Sequence, residues 1–169
     1  AAELGFHRSA TCDYENALRL QPDRALLWQK LGAVHLALQR RNAARTALLR
    51  GIELDPDAPR LHELLALSYA QPGDELQAAR AFARAFDLRE RMPTAASASA
   101  ADVARALGWS ERAEQAAPRS AEASYLRGRM LEAQGRGAEA LVAYELALAK
   151  DPRSAAALER LARLRSVAR

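Results

Sequence analysis

The sequence predicts an all-α chain built from antiparallel helix pairs, and three observations predict it. Half of the 169 residues are hydrophobic while only 5% are aromatic, and alanine supplies nearly half of the apolar fraction. Alanine costs the least of any residue in a helix, and the β-branched and aromatic residues that favour strands are scarce. The second observation is a set of prolines on one interval, and the third is a set of small residues on the same interval. Such self-similarity marks a repeat architecture, in which each unit buries its apolar face against the next.

The prolines carry the interval most plainly. Pro22 and Pro56 are 34 residues apart, as are Pro118 and Pro152. Each closes a similar phrase: Ala-Leu-Arg-Leu-Gln-Pro at 17–22, Gly-Ile-Glu-Leu-Asp-Pro at 51–56 and Ala-Leu-Ala-Lys-Asp-Pro at 147–152. Apolar residues, then a polar one, then Pro reads as the last turn of a helix and its stop. Ala10, Ala44 and Ala78 follow the same spacing, as do Tyr14, Leu48 and Phe82, and Ala17, Gly51 and Ala85. Gly135, Ala140, Tyr144 and Ala147 occupy the matching places near the end. Gly5 and Gly73 share one slot, with Gln39 between them. Small residues at fixed places let two helix backbones approach, where a larger side chain would force them apart.

This pattern resembles the tetratricopeptide repeat, whose signature runs W-x2-L-G-x2-Y, then A-x3-F, then P. Residues 25–58 carry Trp28, Leu31, Gly32, Ala44, Leu48 and Pro56, with His35 in place of Tyr. Residues 59–92 carry Leu65, Ala66, Tyr69, Gly73, Ala78 and Phe82, with His62 in place of Trp and Glu90 in place of Pro. Residues 121–154 carry Gly128, Ala140, Tyr144 and Pro152, while Ser124 and Arg127 depart from the pattern. Residues 1–24 fit the second half of a repeat. The resemblance implies one array over 1–169, a right-handed superhelical solenoid of helix pairs. It also implies a protein-interaction scaffold rather than an enzyme, with a peptide or protein partner held in a concave groove lined by first helices. Carried over slot by slot, that groove presents Gln29, Lys30, Ala33 and Leu36; then Arg60, Glu63, Leu64 and Leu67; then Glu122, Tyr125, Arg129 and Glu132. The Lys/Asn/Arg carboxylate clamp and the asparagine ladder of two subfamilies are not reproduced at these slots, so the groove is assigned by analogy.

The interval slips once. Pro56 and Pro118 are 62 residues apart, six short of two periods, and the shortfall falls in 93–120. Ala100 and Val103 land on first-helix slots counted forward from Pro93, and Ala113 lands on a second-helix slot counted back from Pro118. This predicts a short degenerate repeat with a first helix near 95–107, a turn at Gly108-Trp109-Ser110 and a short second helix near 110–117. The alternative is a linker at Thr94–Ala100. The residues from Ala155 to about Arg165 predict a capping helix with Leu158, Leu161 and Leu164 inward and Arg160, Arg163 and Arg165 outward.

Charge and composition narrow the function. The formal net charge is +4, and 23 of the 25 bases are arginine. Interleaved acids and the absence of a long basic run favour a solvated, mixed surface, the arginine bias reflecting a GC-rich bacterial genome, over a nucleic-acid footprint. RNA binding by Arg-rich helices therefore ranks third. It stands behind a scaffold within a larger bacterial assembly and behind the repeat domain of a longer enzyme such as a glycosyl- or sulfo-transferase. No cofactor is expected. His62-Glu63-Leu64-Leu65-Ala66 opens like the zinc motif H-E-x-x-H, but Ala66 stands where the second ligand is needed. His35 and His62 read as packing residues and His7 as a solvated turn residue. Cys12, the single cysteine, reads as an outward residue without a base partner. One cysteine fits a reducing compartment, cytoplasmic by preference, without excluding the periplasm, since the chain opens inside a repeat. No apolar run reaches membrane length.

Overall fold

The computed structural model describes residues 2–92 and 99–167, with side chains described for 6–92 and 99–166. Among these residues the regular elements are nine α-helices: α1 (Ala2–Leu20), α2 (Ala25–Ala37), α3 (Arg41–Leu54), α4 (Pro59–Ser68), α5 (Glu75–Arg91), α6 (Ala100–Ala116), α7 (Ala121–Ala133), α8 (Gly137–Lys150) and α9 (Ala155–Val167). The fold is all-α, as the composition requires. Contacts divide the chain into two compact units, Ala1–Ala95 and Ala96–Arg169.

In the first unit α2 pairs with α3 and α4 with α5, while α1 packs on α2 and α3 on α4. The first helices α2 and α4 also touch each other. No comparable contact joins α1 to α3 or α3 to α5 among the described residues. First helices are therefore the more closely spaced layer of this unit. In the second unit α7 pairs with α8, α6 packs on α7, and α9 packs on α8.

The pairs close where the sequence places small residues. Ala44, Ala78 and Ala140 are fully buried, and the large residues four positions on, Leu48, Phe82 and Tyr144, are at most 3% exposed. Opposite them lie Gly32, Ala66 and Gly128 on the first helices. A Cβ on Gly32 would stand 2.6 Å from Leu48 Cδ2, and one on Gly128 would stand 2.5 Å from Tyr144 Cε1. Neither distance is tolerable, so the glycines set how closely the helices approach. The turn inside each pair has one residue at positive φ: Gln39 at 57°, Gly73 at 96° and Gly135 at 74°. The sequence slot shared by Gly73 and Gln39 is thus a left-handed turn position, which Gly meets without strain. Gly5 occupies the same slot without a turn, because α1 runs straight through it. His7 is accordingly a half-buried helical residue and not the solvated turn residue the sequence suggested.

The largest correction falls in the middle. No turn occurs at Gly108-Trp109-Ser110, where α6 is one continuous helix capped by Ser99, whose Oγ accepts from the Asp102 N–H. Counted back from Pro118, α6 follows the second-helix slots: Ala106, Ser110 and Ala113 lie 34 residues before Ala140, Tyr144 and Ala147, and all are buried. Trp109 fills the slot that Ala143 takes in the next second helix and is 4% exposed. α5 ends at Arg91 and α6 starts at Ala100, so the gap is too short for a first helix the length of the 13-residue α2 or α7. Of the run Thr94–Ala100, on which the linker alternative rests, 94–98 lie outside the described residues, while Ser99 caps α6 and Ala100 opens it. The capping helix α9 also differs in facing. Ala157 and Leu161 are buried, Leu158 is 48% exposed, and Arg160 turns inward to Glu132. A helical step of four from Ala157 defines the buried stripe, and Leu158 lies beside it.

Two glycine variants separate these roles. Gly128→Ala drives a methyl into Tyr144 and is expected to cost about 1–3 kcal/mol. Gly108→Ala, where the added Cβ meets only Arg112 at an ordinary 3.5 Å, is expected to stabilise by about 0.5–1 kcal/mol. Urea midpoints measure both, and equal effects would disprove the assignment.

Candidate functional site

The indole slot of the repeat shows how each unit handles departures from the pattern. Trp28 Nε1 donates to the Pro22 carbonyl at 2.8 Å. One period later His62 Nε2 lies 2.9 Å from the Pro56 carbonyl, so the imidazole takes over the indole's bond. That bond and 8% exposure make His62 a packing residue. In the second unit Ser124 holds the slot and turns elsewhere. Its hydroxyl donates to the Glu114 carboxylate and accepts from Lys150 Nζ at 2.6 Å. Lys150 also reaches Glu114 at 3.1 Å, and Arg127 reaches it at 2.6 Å. Burial pushes the Glu114 carboxyl up, but Ser124, Lys150 and Arg127 outweigh it and hold it below its ordinary range. A four-residue polar cluster thus replaces one aromatic ring.

The residues proposed for a partner groove separate by exposure. In the first unit Lys30 and Arg60 are exposed, and Gln29, Ala33, Leu36 and Leu67 are partly so. These side chains belong to α2 and α4, the two first helices in contact. Glu63 and Leu64 are buried, at 6% and 4% exposure, and present almost no surface. Glu63 is clasped by Arg60 at 3.0 Å and by Arg89 Nε at 2.6 Å, so its carboxylate is already satisfied.

In the second unit Glu122 and Tyr125 are half-buried, and the Tyr125 ring lies 5.8 Å from that of Tyr144. Arg129, expected on the groove face, is fully buried. Its Nη1 bonds Glu132 at 2.9 Å. Tyr144 donates to the same carboxylate at 2.7 Å, and Arg160 approaches its other oxygen at 3.4 Å. Burial, then the hydrogen bond to Glu132, holds the Tyr144 phenol far above its ordinary range, so it remains a donor. Arg129 and Glu132 are structural parts of the α7–α8 pair, and the expectation that they bind a partner is corrected. Their spacing alone signalled an i, i+3 ion pair; which way it pointed depended on α8.

Acid–base chemistry is not assembled around the remaining candidates. His35 is buried, and its pKa is lowered first by burial and then by Arg40, with Glu15 opposing. Cys12 is a free, exposed thiol. Among the described residues no group of three His, Cys, Asp or Glu side chains is placed to hold a metal, and no helix is long and apolar enough to cross a membrane.

Helix pairs on one interval, closed at small slots and turned through a left-handed residue, define a helical-hairpin repeat protein. Tetratricopeptide-repeat family models match residues 25–58 and 121–164. The chain is a tetratricopeptide-repeat protein. No curated protein matches it in sequence. A crystal structure of MamA is similar over 89% of this chain and 92% of its own, at 20% identity and a TM-score of 0.51. A second MamA crystal structure covers 89% and 86%, at 22% identity and a TM-score of 0.48. The first TPR of Spaghetti (RPAP3), bound to the HSP90 peptide SRMEEVD, covers 85% and 92%, at 19% identity and a TM-score of 0.41. At these identities only the first bears on the structure, and it bears on the fold alone.

Removing Arg129 tests the correction. Arg129→Ala removes the fully buried cation of this centre, leaving Glu132 the longer contact with Arg160, and is expected to lower stability by about 3–5 kcal/mol. Arg136→Ala, which breaks an exposed pair with Glu139, should leave the melting temperature unchanged. An Arg129→Ala variant as stable as the native chain would return Arg129 to the surface.

Proposed function

We propose that the chain is a protein-binding scaffold whose first unit receives a peptide along the exposed faces of α2 and α4. The observation that carries this reading is the direct contact of these two first helices, which sets accessible Gln29, Lys30, Ala33 and Leu36 beside Arg60 and Leu67. Tetratricopeptide repeats are generally protein-interaction modules. The face suits that role, since it joins aliphatic surface to basic groups that can meet a peptide's carboxylates and carbonyls. In the second unit Glu122 and Tyr125 are the remaining candidate contacts. A place within a larger bacterial assembly is part of the same proposal.

Peptides selected from a random display library on the full chain provide the test. Lys30→Glu with Leu36→Ala is expected to weaken the selected peptides about tenfold or more, roughly 1.4 kcal/mol, at an unchanged melting temperature. Thr46→Ala with Arg50→Ala, on the outer face of α3, is expected to change affinity less than about twofold. Greater loss from the outer-face pair would place binding on the other side and overturn the reading.

A further inference from the structure

Among the described helices α1 packs on α2 and makes no comparable contact with any other. Leu18 and Tyr14 of α1 share a cluster with Leu27, Trp28 and Leu31 of α2 and Ala47 of α3. One turn beyond Leu31, on the same face of α2, stands His35 at 7% exposure. One turn before buried Thr11, on the matching face of α1, stands half-buried His7, whose carbonyl accepts the Thr11 hydroxyl at 3.0 Å. Only residues 21–24 join the two helices, so they run antiparallel, and His7 and His35 lie toward the same end of their interface, away from the Pro22 turn. Each imidazole buries its Nδ1 with no hydrogen-bond partner. A buried, unsatisfied polar atom opposes folding, and a proton placed there adds an unpaired charge.

We propose that His35 is an acid-sensitive latch: protonation of its imidazole releases α1 from α2 while the α2–α3 and α4–α5 pairs stay folded. The charged groups near His35 set the direction. The turn into α3 brings Arg40, which opposes a second positive charge, and α1 brings Glu15, which favours one. Arg41, next to Arg40, lines an open cavity with Gln39, Asn42 and Gln71. On α3, Arg45 is engaged by the Ser68 carbonyl and Asp74, and Arg50 by Glu53. On α4, His62 meets the Pro56 carbonyl, and Glu63 is held by Arg60 and Arg89. Burial is the largest influence on His35 and lowers its pKa from 6.5, the value of a free imidazole. A base whose pKa is lowered by docking contributes fully above its free value and progressively less as the pH falls through it. The latch is therefore held above about pH 6.5 and weakens toward pH 5. Release uncovers Leu27, Trp28 and Leu31, an apolar face on the first helix of the unit.

Hydrogen exchange on the full chain, corrected for the intrinsic pH dependence of exchange, tests this. Between about pH 7.5 and about pH 5.5, α1 amides should lose protection about tenfold or more while α4 and α5 amides keep theirs. His35→Tyr, which restores the residue usual in that slot, should hold α1 protection constant over the same range. If that variant folds poorly, His35→Gln serves, and constancy is again expected. Glu15→Gln removes the group that favours the proton in the docked state, which widens the gap from the free imidazole, so α1 should lose more protection at the same acid pH. The latch is overturned if α1 and α5 lose protection together, if native α1 does not respond to acid, or if the His35 variants still respond.

Discussion

The close approach of paired helices is the constraint on which both units depend. Gly32 under Leu48 and Gly128 under Tyr144 leave less than the width of a methyl between backbone and side chain. Everything around that contact follows from its tightness. The large residue is buried because its neighbour is small, and the alanines at 44, 78 and 140 are buried because the next helix lies against them. The turn must then reverse the chain in very few residues, which a left-handed position accomplishes at Gln39, Gly73 and Gly135. A non-glycine at the first of these costs of order 1 kcal/mol or more of strain, which the packing on either side sustains.

Polar substitutions within the pattern are absorbed in two different ways. His62 keeps the geometry of the indole it replaces, down to the bond with a proline carbonyl six residues back. Ser124 is too short to do so, and its space is taken by Glu114, Arg127 and Lys150. The second solution is more demanding, because a buried carboxylate is tolerated only when its lone pairs are met. The Glu132 centre obeys the same rule, with Arg129, Arg160 and Tyr144 converging on one carboxylate. Buried ionic centres in the second unit therefore serve packing, and the proposed recognition surface is confined to the first-helix residues that remain exposed.

Much of this was legible in the sequence. The interval, the helix pairs at 25–58, 59–92 and 121–154, and the burial of His35 and His62 all follow from residue spacing, since slots on one helix face recur with the repeat. The facing of individual side chains was less legible. Arg129 and Tyr125 share a face by spacing, yet one is fully buried and the other half-buried, because Arg129 joins Glu132, whose carboxylate Tyr144 of α8 also holds. Glu63 looks like a groove residue until Arg89, contributed by α5, closes over it.

By itself the sequence determined the repeat class and, over 25–58, 59–92 and 121–154, the length of each pair and the places where its helices touch, because each is set by local propensity and a fixed period. Only the tertiary structure decided that α6 is one helix rather than two. Gly108 tolerates a helix interior as readily as a turn, and the choice was made by burying Trp109, Ser110 and Ala113 together. Tertiary structure also decided which charges are paired and which are presented. An ion pair is a contact between elements distant in sequence, as Lys150 with Glu114 and Arg160 with Glu132 are, and no spacing rule within one helix specifies it.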